Sequence, residues 1–446
     1  MTPKRALAVG AALLTTLGLT SCSGAGGSAT AHSINVLMVN NPQMADLQKL
    51  TAENFTKSTG ITVNFTVLPE NDVRSKITQD FSAQSAQYDV ATISNYETPI
   101  FAKNGWLAPL TPRADADPAF DQNDVLPAIR TSLTVDGQMY AEPFYGESSF
   151  LMYRKDVFAA KQLAMPDRPT WQQVAALAAQ TDGAEPGMKG ICLRGQPGWG
   201  ELTAPLTTVV NTMGGTWFDQ DWHAQLTSPA FKQATSFYVG LVRDHGEAGA
   251  PQAGFTECLT NMEQGKTAMW YDATSAAGAL ESSGSPVAGK IGYVPAPVER
   301  TTGSGWLFTW AWGLQKASHH QDDAWKFISW ASGKGYEQLV GSQLGWSRVP
   351  AGKRTSTYAT PQYLASASAF AEPTLKALQS ADPANPGVQP RPAPGIQFVG
   401  IPEFEDLGTQ VSQQISSAIA GRITVDQALS AGQALAEKTA AAHAKQ

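Results

Sequence analysis

The stretch E-P-F-Y-G-E-S-S-F-L-M-Y-R, Glu142 to Arg154, sets a knot of aromatic, acidic and hydroxyl residues directly before an apolar run, Phe150 to Tyr153. The run reads as a strand. Pro143 limits the flexibility of the segment leading into it. Glu147 then has three readings: a catalytic carboxylate, a ligand clamp, or a polar turn ahead of the strand. The sequence on either side has to choose among them.

Upstream, the hydrophobic period alternates between two and nearly four. Ile34 to Val39 reads as a strand, Asp46 to Ser58 as a helix closed by Gly60, and Ile61 to Leu68 as a second strand. Asp72 can cap the next helix, on which Val73, Ile77 and Phe81 are spaced by four; Tyr88 to Ser94 is a third strand. This β-α-β-α-β opening predicts a parallel sheet covered by helices. An Asp-Gly turn at Asp136-Gly137 leads into the stretch itself.

Downstream, helices are predicted over 169–180, 202–213, 229–243, 322–331, 410–420 and 425–442. Strands are predicted over 189–194, 266–271 and 290–294, with an aromatic-rich segment at 305–313 and a Pro-rich loop at 382–394. A chain of 446 residues exceeds one ordinary core, so the expected fold class is α/β in two lobes.

The amino terminus reads as a secretory signal. Lys4-Arg5 precede a short apolar segment, Ala6 to Leu19, and then L-T-S-C, Leu19 to Cys22. That tail is similar to a bacterial lipobox, which would make residues 1–21 a signal peptide and Cys22 the lipidated first residue. The S-G-A-G-G-S-A-T-A-H-S that follows makes 22–33 a flexible tether. The expected location is the extracytoplasmic face of the bacterial membrane, lipid-anchored rather than spanning. Loss of Lys4 and Arg5 takes the formal charge from −7 to −9. With no basic cluster, nucleic acid is excluded as a partner. The remaining cysteines, Cys192 and Cys258, are either a disulfide, which that compartment permits, or two buried thiols.

The common catalytic signatures are missing. No serine has glycines at both −2 and +2, and none of the six histidines forms H-E-x-x-H. Gly265-Lys266-Thr267 ends like a phosphate loop, but position 260 is Thr rather than Gly. Asp219 and Asp221 lack an EF-hand frame. No metal and no cofactor are expected. A glycosidase needs only two suitably spaced carboxylates, which sequence leaves open.

What is present instead is an interleaving of aromatic and polar residues at the carboxyl ends of predicted strands, where open α/β sheets bind ligands. The candidates are Asn41, Asn95, Glu97, Tyr145, Glu147, Arg194, Trp199, Glu201, Asp272, Trp306, Trp312 and Arg348. The acids, amides and arginines suit a polyhydroxylated ligand, because each hydroxyl both donates and accepts. The rings suit its C–H faces. Tryptophans also fill cores, and at least one of Trp310 and Trp312 is expected to do so.

At these residues the chain resembles the solute-binding proteins of ABC sugar importers, and more narrowly their polyol (mannitol/sorbitol) binders. The matching stretches include Y-D-V-A-T-I-S-N-Y-E, P-F-Y-G-E-S-S, G-I-C-L-R-G-Q-P-G-W-G-E, A-M-W-Y-D-A-T, W-S-R-V-P and G-I-Q-F-V-G-I-P-E-F, spread from Tyr88 to Phe404. Cys258 departs from the family's pattern. The resemblance implies a periplasmic-binding-protein-like fold, with ligand held between lobes joined by crossing segments and no chemistry performed. It places one lobe at 34–142 plus 305–352 and the other at 143–304 plus 353–446. The crossings fall near 141–144, 295–304 and 350–358. It further implies a monomer that takes a polyol or related sugar, closes about a hinge, and delivers its cargo to ABC permease subunits. The rivals are a secreted glycan-processing enzyme and a surface adhesion or structural lipoprotein.

Overall fold

The computed structural model of the protein describes residues 32–443. The signal segment, Cys22 and the tether as far as residue 31 lie outside the described residues. The last two tether positions belong to the fold instead. Ser33 opens β1 (Ser33–Val39), and His32 Nδ1 lies 2.6 Å from Asp323 Oδ2.

β1, β2 (Thr62–Leu68) and β3 (Val90–Ser94) pair in parallel with β1 in the middle. Their apolar residues face helices: Leu37, Met38 and Ile93 are buried with Leu47, Val73 and Phe81. Gly60, at φ +75°, closes the helical segment between β1 and β2 as expected. That segment starts earlier than predicted, at Pro42, because the Asn41 side chain caps it by accepting from the Met44 N–H at 3.2 Å. The Asp136-Gly137 turn joins the two-residue strands β4 (Thr134–Val135) and β5 (Gln138–Met139).

β6 (Ala141–Glu147) and β10 (Phe308–Leu314) then add antiparallel strands, giving the order β2-β1-β3-β10-β6. The parallel expectation therefore holds for the first three strands only. Pro143 sits on the edge strand β6, where a sheet tolerates proline. The β6–β10 register slips at Phe144, since Tyr145 pairs with Trp310 and Pro143 with Ala311.

Ser148 alone separates β6 from β7 (Ser149–Arg154), the middle strand of a second sheet. That sheet is antiparallel, with order β8-β7-β9, where β8 is Met269–Ala273 and β9 is Ile291–Pro295. The stretch Glu142 to Arg154 thus runs through both sheets. β6 remains paired with β10 as far as Glu147, opposite Phe308, so the change of sheet falls at Ser148 rather than at 141–144. Residues 346–358 lie against this junction. The Gly146 N–H donates to the Ala351 carbonyl at 3.1 Å, and the Leu126 N–H to the Lys353 carbonyl at 2.8 Å. Gly352 needs its φ of +80°, and a Cβ there would collide with the Gly146 carbonyl.

The segment expected as a strand at 189–194 touches the second sheet only through single bridges, Lys189 to Thr267 and Cys192 to Trp270. A disulfide fixes it: Cys192 and Cys258 are bonded, with Cα atoms 5.7 Å apart. Of the two readings of these cysteines, the bridge is the one that holds. Among the described residues no helix is long and apolar enough to cross a membrane.

Candidate functional site

The two sheets meet around a polar cleft of about 170 Å³. Its first wall is the carboxyl ends of parallel strands, where the chain turns from strand to helix. Val39 ends β1 and Asn41 follows it, and Pro69 and Glu70 follow β2. The floor is the β6–β10 pair, with Tyr145, Glu147, Phe308 and Trp310. The opposite wall is Arg194, Gln196 and Glu201 with the start of the helix Phe255–Glu263.

Six of the residues read from sequence line this cleft: Asn41, Tyr145, Glu147, Arg194, Glu201 and Trp306. Asn41 Nδ2 donates to the Tyr145 hydroxyl at 2.7 Å, tying the end of β1 to β6. Glu147 Oε2 accepts from Ser275 Oγ at 2.5 Å. Arg194 is held in a fork: Nε and Nη2 reach the two Asp272 oxygens at 2.8 and 2.5 Å, and Nη1 reaches Glu201 Oε2 at 3.2 Å. Trp306 Nε1 is buried with no protein partner among the described residues.

Burial governs the electrostatics. It pushes the Glu147 carboxyl up to about 8 against the opposing pull of Ser275 and Arg194. Glu201 is also pushed to about 8, first by burial and then by the charge of Glu70, although Arg194 and the Phe255 N–H favour its ionised form. A neutral carboxyl both donates and accepts, so these two acids present to the cleft the same bonding capacity that a hydroxyl has. Such a surface suits a neutral, hydroxyl-rich molecule better than an ion.

Six other candidates lie elsewhere. Asp272 is wholly buried behind Arg194, and its oxygens also accept from Trp270 Nε1 and the Ala273 N–H. Glu97 is wholly buried too, accepting from Arg74 Nη1 at 3.2 Å and the Ser94 N–H at 2.8 Å. Asn95 stitches β3 to β10 by donating to the Leu307 carbonyl and accepting from the Thr309 N–H. Trp199 packs under Arg74 rather than on the cleft surface. Trp312 is core, against Phe144 and Phe327, because it lies one full pleat deeper along β10 than Trp310, which takes the cleft position. Arg348 forms a bidentate pair with Asp46 at 2.7 and 2.8 Å, joining the 346–358 segment to the helix Pro42–Thr51.

Sequence reasoning missed Glu70 and Arg74, which line the cleft and are paired at 2.7 Å. Their i,i+4 spacing just after β2 was a usable signal. It also missed Trp310, Phe255 and the loop residues Gln397 and Phe398.

Residues 40–338 match the bacterial extracellular solute-binding protein family. The chain is 40% identical over 405 residues to a mannitol-binding protein of Pseudomonas aeruginosa, covering 90% of this chain and 92% of that one. It is 26% identical over 329 residues to an erythritol/L-threitol-binding protein of Mycolicibacterium smegmatis. Among solved structures, an ABC transporter solute-binding protein of Agrobacterium vitis with bound D-mannitol superposes with a TM-score of 0.89 at 44% identity. The match covers 92% of this chain and 98% of that one. A ribitol complex from Agrobacterium radiobacter, with a TM-score of 0.80 at 24% identity, shares the fold. These relatives bind solutes and are not enzymes, which removes the glycan-processing reading. The chain belongs to the bacterial extracellular solute-binding protein family, as the extracytoplasmic binding component of an ABC importer.

Proposed function

We propose that this protein captures an acyclic polyol of mannitol type between its lobes and delivers it to a membrane permease. The observation that carries the reading is the pairing of two buried, proton-holding acids, Glu147 and Glu201, with the fixed fork of Arg194 around one polar cleft. The mannitol-binding protein of Pseudomonas aeruginosa and the D-mannitol in the Agrobacterium vitis structure support the same ligand class. Asn41, Tyr145, Glu147, Arg194, Glu201 and Trp306 contact the ligand in this reading, with Glu70 added, while Arg74 braces the two walls. Asp272 and Glu97 hold the two arginines. Trp199, Asn95, Trp312 and Arg348 support the walls.

The lobes we assign are 34–147 plus 305–352 and 148–304 plus 353–446, with the first crossing at Ser148 because β6 stays in the first sheet to Glu147. Closure is a hinge motion about the three crossings. Lipidation of Cys22 holds the monomeric receptor at the membrane surface.

A thermal-shift panel of hexitols, pentitols, hexoses and disaccharides tests the reading. A ligand at about 100 times its Kd stabilises by about 2.7 kcal/mol. Stabilisation by hexitols and not by disaccharides is expected; stabilisation by none of the polyols refutes it.

A further inference from the structure

One motif quoted from the sequence lines the cleft but has no role so far: G-I-Q-F-V-G, Gly395 to Gly400. It forms a clenched turn. The Gly400 N–H donates to the Pro394 carbonyl at 2.9 Å, and the Gly395 N–H to the Pro383 carbonyl at 2.7 Å. Gly395 sits at φ +133°, where a Cβ would collide with the Phe398 carbonyl. The turn is anchored from two sides. Asn211 Nδ2 donates to the Ile396 carbonyl at 2.9 Å, and the Tyr96 hydroxyl to the Ile401 carbonyl at 2.7 Å.

The apex of this turn lies at the end of the polar cleft. On its far side is a second cavity of about 790 Å³, walled chiefly by apolar groups including Tyr96, Ile100, Leu307 and Ile396. Phe308, Gln397 and Phe398 line both volumes. Phe308 belongs to β10, so the loop's share of the partition is two side chains. The Phe398 ring is held rigidly, with ring centres 5.0 Å from Trp199, 5.4 Å from Tyr96 and 6.2 Å from Phe308. It is 5% exposed. A packed aromatic of this kind is an end stop, since a ligand chain cannot pass it without unpacking four other rings, those three and Phe404 at 6.1 Å.

We infer that Phe398 sets the length of the ligand, acting as the partition between the polyol cleft and an apolar recess that an extended ligand would otherwise enter. This rests on the polyol reading of the cleft. The class admitted is a short polyol with free ends. The class rejected is a polyol carrying an alkyl group at one terminal oxygen. Gln397 faces the same end of the cleft and supplies an amide to the terminal hydroxyl. With the ring removed, the apolar recess becomes continuous with the cleft and has the right lining for an alkyl chain.

Calorimetric titration with D-mannitol and with 1-O-butyl-D-mannitol tests the inference. The unsubstituted protein should bind D-mannitol and bind the butyl ether at least a hundredfold more weakly. Phe398→Ala should narrow that ratio tenfold or more while still binding D-mannitol. Phe398→Leu, which keeps an apolar packing group but no ring, serves if the alanine variant melts without cooperativity, and it should narrow the ratio in the same direction. Equal binding of both ligands by the unsubstituted protein overturns the inference. So does an unchanged ratio in folded variants that still bind D-mannitol. Failure of the unsubstituted protein to bind D-mannitol at all is a different result, and it removes the polyol reading itself.

Discussion

The guanidinium of Arg74 lies 4.0 Å from the ring centre of Trp199, and these two residues come from opposite walls of the cleft. Arg74 belongs to the helix Glu70–Ala83 after β2; Trp199 belongs to the loop that carries Arg194 and Glu201. Trp310 lies 4.7 Å from the same guanidinium. All three Arg74 nitrogens are already bonded to Glu70 and Glu97. The loop fits this contact closely, because a Cβ on Gly200 would strike Glu70 and Arg74, and Asn71 Nδ2 donates to the Pro197 carbonyl at 2.9 Å. The stacked arginine therefore clamps the two walls together through protein groups alone.

Arg74→Ala should weaken every polyol by a similar factor, since it removes the clamp rather than a ligand-specific contact. A desolvated cation–π contact is worth about 2 kcal/mol, or roughly thirtyfold. Leaving Glu97 buried and unpaired adds a loss of stability of about 3–5 kcal/mol. Arg74→Lys should restore little of the affinity, because an ammonium neither stacks nor forks. Calorimetry on a hexitol and a pentitol, with melting curves for each variant, reads both effects. Full rescue by lysine would contradict the clamp.

The Cys192–Cys258 bridge links residues 66 apart in sequence. Cys192 is two positions from Arg194, and Cys258 is three from Phe255, so the bridge also fixes two parts of the cleft wall. Closing a loop of that length is worth about 4 kcal/mol in the chain-entropy account, and measured values are commonly about 2–4. Replacing both cysteines with serine should lower stability by that amount in denaturant melts and also weaken hexitol binding. Unchanged stability would show that the bridge restrains nothing.

Stability of the ligand-free protein should depend on pH through its buried acids. Burial raises Glu142, Glu147, Glu201 and Glu405 to about 8 in the folded chain, against an ordinary value near 4.5. Between those values the folded chain holds protons that the unfolded chain has released. Their contribution is fully present below about 4.5 and is lost as pH rises through 8. The melting temperature should therefore fall from pH 5 to pH 8. Glu147→Gln, uncharged throughout, should make the decline shallower. A melting temperature that climbs across this window would contradict the assignment.

Much of the fold was legible because period and punctuation agreed: the three parallel strands, Gly60, and the Asp136-Gly137 turn all fall where alternation and turn chemistry put them. The antiparallel addition of β10 and β6 was not legible, because strand direction in a sheet is a long-range choice that local pattern does not encode. The site divided along the same line. Sequence located the ends of β1 and β6, and so it put Asn41 and Glu147 beside the cleft they line. It could not measure depth, and so it placed Asp272, Glu97 and Trp312 at a surface they stand behind. Arg348 had the right charge and chain position, but its fork is filled by Asp46, more than 300 residues away in sequence. Phe398 lies in a loop without period, where only three-dimensional packing reveals a role.

The most direct test of the central claim is a calorimetric titration of D-mannitol into the mature protein and into Glu147→Ala, side by side at neutral pH. Removing a buried carboxyl that bonds a ligand hydroxyl costs about 1–3 kcal/mol, because the hydroxyl is left unpaired. The account predicts one site per chain in the parent protein and a loss of roughly tenfold to a hundredfold in the variant. Equal affinity in the two proteins, or no heat with either, would contradict it.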